Sequence, residues 1–499
     1  MLEPSSLFTD GAVLAREKEI RIFGRADSGE TVTARLEDRR GSVLAEATAE
    51  AREGRFLAFL PPQRAQTGCR LTLRCGGETF GAEDIAIGDV YLAGGQSNME
   101  LELRGALGGP EALPEDPLVR FFNVPKIART CEEQERALAG TRWKPVNAES
   151  AGYNSAVASW FAAEMRGKHP EIPVGIIGCY WGGTSATCWM DRETLESISE
   201  GIRYLREYGE KSGDKTLETY LEEEKEFNRV LGEWNAAADA FRAEHPGEPF
   251  TELEKACGKC PWNPPAGPGS PYRPAGLAES MLKQVMPVAL TAILYYQGEE
   301  DADKTDRYDQ LMTALIGFWR KGFREAELPF LFVQLPMWID DGAQDSFRWP
   351  ALRLAQAAVR DSVRNTGMIC LLDQGEYGNI HPVNKEPVGK RLAELAEQML
   401  RGRGEESPRA IGRWVRGETM HVVLSREVTT PDGEAPRLLE IAGADGRFVP
   451  AEAEISEKML RIRSEQVAHP AAARYAWTDY SDRVNLFGEN GLPLEPFLL

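Results

Sequence analysis

From Asp89 to about Gly402, short apolar runs alternate with segments whose apolar residues recur at helical spacing. This alternation restricts the fold more than any other feature of the chain. The runs cover residues 90–93, 174–177, 290–296, 328–335 and 368–372. Helical spacing shows in Val157, Trp160, Phe161 and Met165, and again in Tyr308, Leu311, Met312, Leu315 and Trp319. It returns in Leu352, Ala355, Gln356 and Val359, and in Val388, Leu392, Leu395 and Met399. Unbroken apolar runs suit strands buried on both faces, and amphipathic helices between them supply the covers. The pattern predicts an α/β domain over residues 88–402, with a parallel sheet covered on both faces.

The flanks read differently. Residues 1–87 hold short strand-like runs at 12–14, 20–24, 31–36 and 70–74, separated by Gly, Asp and Pro, which predicts a β-sandwich module. Strand-like runs return at 421–424, 437–441 and 459–462, so residues 403–499 are expected to form a second β-rich module. An insertion over 191–274 interrupts the central pattern. Its first part, to Glu254, is rich in Glu, Lys, Leu and Tyr and reads as solvated helices. Its end, Pro261-Trp262-Asn263-Pro264-Pro265-Ala266-Gly267-Pro268-Gly269, excludes regular structure; it reads first as a surface connection and second as a lid packed over a site.

A net charge of −20 over 499 residues argues against nucleic acid and against an anionic membrane surface as partners. No apolar stretch approaches a membrane span. Met1 to Phe8 lack the basic and apolar regions of a signal peptide, which predicts a cytoplasmic chain, or a secreted or periplasmic one if a leader has been removed. The eight cysteines are scattered and suit reduced thiols. Cys257-Gly258-Lys259-Cys260 has no second pair or Cys/His partner at zinc-site spacing and sits in a Pro-rich loop, so it reads as neither a zinc site nor a redox motif.

Chemistry is sought at the strand ends, where open α/β sheets place their crevice. The first run breaks into Gly94-Gly95-Gln96-Ser97, a tight turn that presents a hydroxyl. The second ends in Trp181-Gly182-Gly183-Thr184, whose glycines offer unobstructed N–H groups to an oxyanion. The third leads to Gln297-Gly298-Glu299, with an amide available as a further donor. The fifth leads to Asp373-Gln374-Gly375-Glu376-Tyr377-Gly378-Asn379-Ile380-His381-Pro382. Of five histidines, only His381 lies on a loop from a central strand just ahead of an amphipathic helix. A serine needs such a base to become a nucleophile at neutral pH. Ser97, Gly182, Gly183, Gln297 and His381 thus suit a serine hydrolase.

With these residues in hand, the chain resembles the sialate O-acetylesterases of the SGNH (GDSL-like) hydrolase superfamily. The likeness is carried by Gly95-Gln96-Ser97-Asn98-Met99-Glu100, Trp181-Gly182-Gly183-Thr184, Tyr296-Gln297-Gly298-Glu299 and Ile380-His381-Pro382 with Lys385 and Arg391. Leu7 to Leu14 also look like the family's opening β module. The resemblance implies a flavodoxin-like three-layer α/β/α core and removal of O-acetyl groups from a sugar, sialic acid or a related glycan, without metal or cofactor. It implies Ser97 as nucleophile and His381 as base. The oxyanion donors would be the backbone N–H groups of Ser97 and Gly183 and the Gln297 side chain, with Gln96, Asn98, Gly182 and Glu299 in support.

The chain departs from the family in two places. Members commonly carry an Asp two or three residues before the histidine, where this chain has Asn379 and Gly378. Three readings stay open: a Ser-His dyad with a carbonyl orienting His381, substitution by Asp373 or Glu376, or weak or lost activity. Glu279 and Ser280 also stand where Asn-Gly is expected. The rival functions are an esterase for acetylated xylan and a carbohydrate-binding homologue without catalysis.

Overall fold

Glu78–Gly95 form one strand of 18 residues, and two parts of the molecule hang on it. Its first half pairs antiparallel with Gln66–Cys75 and parallel with Val13–Ala15. Its second half pairs parallel with Val174–Tyr180 on one side and Ala292–Tyr296 on the other. The strand therefore runs straight across the boundary expected between residues 87 and 88. The computed structural model describes residues 1–245 and 248–499; the other two residues belong to the predicted insertion.

Across the central sheet the order is Lys144–Val146, Asp116–Asn123, Val174–Tyr180, Glu78–Gly95, Ala292–Tyr296, Phe330–Val333 and Thr366–Ile369. All of its ladders are parallel except that of the edge strand Lys144–Val146. Every residue of Val174–Tyr180, Ala292–Tyr296 and Phe330–Val333 is buried, which is why these strands read as unbroken apolar runs. The four expected amphipathic segments form Ala156–Lys168, Tyr308–Gly322, Arg348–Ser362 and Glu386–Arg401. The first and last pack on each other, as do the middle two. Ser155 caps its helix by accepting from the Ala158 N–H, and Gly402, at φ +65°, closes the last one.

Strand Asp116–Asn123 has no counterpart among the sequence runs. Pro117 and Arg120 interrupt its apolar pattern. Arg120 is nonetheless 5% exposed, because its guanidinium donates to the carbonyls of Pro117, Gly11 and Asp84 and pairs with the Asp84 carboxylate. A buried charge is tolerated when it is fully partnered.

Chain order reverses at Glu78–Gly95. The chain first builds the strands on one side of it, then crosses to build those on the other. The carboxyl end of this strand is therefore the switch point at which such sheets open a crevice.

The N-terminal part adds a three-stranded sheet of Leu2–Pro4, Ile20–Ala26 and Arg55–Leu60, with Thr31–Glu37 held between Val43–Glu50 and Gln66–Cys75. After residue 403 come two four-stranded sheets and a two-stranded pair. Their core takes in Met337, Cys370 and Leu372 from the central part. In the insertion the helices Ser199–Ser212, Leu217–Glu244 and Phe250–Cys257 form as expected. Its irregular end is not a simple surface connection. Ala266 and Ser270 are buried, and Gly267 and Gly269 lie against the Tyr220 ring so closely that a Cβ at either would overlap it. Among the described residues, no helix is long and apolar enough to cross a membrane.

Candidate active site

Ser97 opens the short helix Ser97–Glu100 directly after the long strand. The turn between them requires glycine. Gly95 has φ +134°, and a Cβ there would stand 2.1 Å from the Tyr296 carbonyl oxygen. Gln96 secures the turn from outside: its Oε1 accepts from the N–H groups of Gly298 and Glu300, each at 3.3 Å.

His381 Nε2 lies 2.8 Å from Ser97 Oγ. Two residues 284 apart in sequence thus meet at hydrogen-bond distance, the reach that a base needs to take the hydroxyl proton. Trp181 to Thr184 come from the neighbouring strand Val174–Tyr180. Gly182 packs on Ser97, its N–H donating to Glu100 Oε2 at 2.5 Å, and Glu100 in turn pairs with Lys126. Gly183 adopts φ +70°. No hydrogen bond to another described residue is found for the backbone N–H of Ser97 or of Gly183, which leaves both open to an oxyanion.

The structure corrects two expectations. Gln297 is 1% exposed and its amide is fully engaged. Nε2 donates to Asp301 Oδ2 at 2.6 Å and to the Thr184 carbonyl at 3.3 Å, and Oε1 accepts from Tyr308 and Tyr295. In this arrangement Gln297 braces the loops and has no hydrogen left for an oxyanion. The second correction concerns the acid. Asp373 is held in a two-pronged pair with Arg391, at 2.7 and 2.6 Å, and makes no hydrogen bond to His381.

Glu376 and Asn379 act on the histidine through its backbone. Glu376 accepts from Asn379 Nδ2 at 2.7 Å and from the Val383 N–H at 2.9 Å, and Asn379 Oδ1 accepts from the His381 N–H at 3.0 Å. No hydrogen bond to the His381 Nδ1 atom is found among the described residues.

Asn98 and Glu299, named in support, form with Lys385 a buried network beneath the Ser-His pair. Asn98 Nδ2 donates to Glu299 Oε1 at 2.5 Å and to the Ile380 carbonyl at 2.9 Å, while its Oδ1 accepts from Lys385 Nζ at 2.5 Å. One amide therefore ties the serine turn to the histidine loop. Burial pushes the Lys385 ammonium down to about 7, against the opposing pull of Glu299 and Glu376, and burial raises the Glu299 carboxyl. His381 is pushed down to about 4, first by burial and then by the positive charges of Lys385 and Arg242. Its imidazole is therefore neutral and able to accept a proton across the physiological range.

The sequence alone does not single out Asp301, which is fully buried and accepts from the Ala186 N–H, Gln297 and the Tyr204 hydroxyl. Lys385 stands out in the sequence only as part of a motif. A lone Asp or Lys carries no sign of burial in the sequence. Among the described residues no group of His, Cys, Asp or Glu has metal-site geometry, and all eight cysteines are free thiols.

Residues 262–398 match the family model described as carbohydrate esterase, sialic acid-specific acetylesterase. The chain is 24% identical to rat sialate O-acetylesterase over 521 aligned residues, covering 95% of this chain and 90% of the rat protein. It is 23% identical to the mouse protein, over 96% of this chain and 90% of that one. Among solved structures it is similar to a carbohydrate acetylesterase from Xanthomonas citri, with a TM-score of 0.77, 27% identity and 99% of each chain covered. The chain is thus similar to the sialate O-acetylesterases over most of its length, and it is an enzyme, a carboxylic ester hydrolase of sialate O-acetylesterase-like kind.

Proposed function

We propose that this carbohydrate O-deacetylase works as a Ser-His serine esterase, with a flavodoxin-like SGNH core flanked by β modules. The observation that carries the mechanism is the 2.8 Å contact between His381 Nε2 and Ser97 Oγ, beside two unclaimed backbone N–H groups. His381 takes the Ser97 proton as Oγ attacks the acetyl carbonyl. The oxyanion that forms is held by the N–H groups of Ser97 and Gly183. As the intermediate collapses, the bond from the acyl carbon to the sugar oxygen breaks. The imidazolium protonates that oxygen, which leaves as a free hydroxyl, and an acetyl-enzyme remains. Water, deprotonated by His381, releases acetate and restores the serine.

In this reading the site is a dyad. The work of the expected Asp, holding the imidazole in place, falls to the backbone clamps on either side of His381. Asn379 holds its N–H, and Asn98 holds the carbonyl of Ile380 before it. The substrate is an O-acetylated sugar, with acetylated sialic acid as the first compound to try because the matched relatives bear that name.

The test is release of acetate from O-acetylated sialic acid and from acetylated xylose by wild type, Ser97→Ala and His381→Ala. Loss of either member is expected to cost on the order of 10⁶ in turnover. Equal rates for the three proteins would refute the dyad. A marked preference for the xylose ester would move the substrate to plant glycan.

A further inference from the structure

The helical insertion reaches the candidate site from two sides. On the histidine side, Arg242 of helix Leu217–Glu244 is near enough for its charge to lower the basicity of His381. Thr251 of helix Phe250–Cys257 lies against Gly378, where a Cβ would stand 2.8 Å from its methyl group. On the oxyanion side stands Trp262. A Cβ at Gly183 would be 2.2 Å from Trp262 Cζ2, so the indole rests directly on the glycine whose N–H is open.

Trp262 is held from behind. Its ring meets Phe227 edge-on at 6.0 Å between centroids and Tyr272 at 5.6 Å. The backbone that carries it is stiffened by Pro261, Pro264 and Pro265. Yet the residue stays 44% exposed, unusual for a large ring packed against three neighbours. A rigid aromatic ring that is braced by its edge neighbours and open to solvent costs little entropy to use as a binding surface. A pyranose presents C–H groups on one face, and the electron-rich face of an indole complements them.

We propose that Trp262 is a substrate-positioning residue, on which the sugar ring of the acetyl ester stacks while the ester reaches Ser97 and Gly183. The insertion thereby forms one wall of the substrate site. This rests on the proposed deacetylation of sugars. It predicts that Trp262 discriminates between an acetyl group carried by a sugar and one carried by a small alcohol.

The experiment compares wild type, Trp262→Ala and Trp262→Phe on an O-acetylated monosaccharide and on methyl acetate, which has no ring to stack. The ratio of kcat/KM for sugar ester over methyl acetate should fall roughly tenfold or more in Trp262→Ala. The fall should lie in KM for the sugar, and Trp262→Phe should recover most of it. Calorimetric binding of the same monosaccharide ester to Ser97→Ala should weaken by a similar factor when Trp262→Ala is added. An unchanged ratio overturns the proposal. So does an equal loss on both esters, which would make Trp262 a support for Gly183 alone. Wild type that hydrolyses methyl acetate and no sugar ester would instead refute the deacetylation reading itself.

Discussion

In the proposed dyad, His381 acts as a base under the influence of its surroundings rather than of a carboxylate. Burial and two nearby cations favour its neutral form, so the free enzyme should hold a competent base down to about pH 4. The acid limb of kcat/KM is expected near that value rather than near the ordinary histidine value of about 6.5. Activity should be lost as pH falls through the limb, because a protonated imidazole cannot accept the Ser97 proton. A pH–rate profile measures this directly. Lys385→Met removes one of the two cations, and the limb should move upward. Asn98→Ala has a different signature. It releases the Ile380 carbonyl and leaves Lys385 and Glu299 buried without their shared partner. Turnover should fall by roughly one to two orders of magnitude, and stability by about 2–4 kcal/mol in denaturant titration.

The histidine loop explains what Asn379 does as part of an element. Sequence comparison with the family makes Asn379→Asp look like a repair, since it restores an acid near the base. The structure predicts the opposite. Asn379 gives a hydrogen to Glu376, and an aspartate there would set two carboxylates against each other at 2.7 Å. The loop should loosen, and kcat on any acetyl ester should drop about tenfold or more. A rise in kcat would show that an acid partner is wanting after all. The serine turn is equally intolerant. Gly95→Ala would drive a Cβ into the Tyr296 carbonyl and force a non-glycine residue to a conformation it rarely adopts. A loss above about 4 kcal/mol, or failure to accumulate as soluble protein, is expected.

At the scale of the whole molecule, the C-terminal β part is built into the site's support. Asp479 accepts from the Ser346 N–H and hydroxyl at 2.6 and 2.7 Å and from the Trp349 N–H at 3.1 Å, holding the start of helix Arg348–Ser362. Gln356 of that helix donates to the Gln297 carbonyl and accepts from the Leu335 N–H. Asp479→Ala should therefore lower Tm by several degrees and lower turnover as well, although Asp479 lies outside the Ser97–His381 cluster. Thermal unfolding and kcat on one acetyl ester check both. Removal of a mere appendage would change neither.

The sequence by itself determined the alternating elements, the serine turn, the double-glycine loop and the single well-placed histidine. Each of these is written locally. Apolar periodicity reports burial, Gly-Gly reports a turn, and strand ends report the rim of a sheet. Asp116–Asn123 escaped because Arg120 is buried through partners more than thirty residues away, and no local pattern records such partners. The same limit applied to the site. Gln297 is the right residue type at the right strand end, but whether its amide faces a ligand or Asp301 depends on which loop packs beneath it. The role of Lys385, the clamp through Asn98 and the seat of Trp262 on Gly183 likewise exist only once distant segments meet. Local spacing tells which groups reach the crevice, and tertiary packing decides which of their hydrogen bonds are already taken.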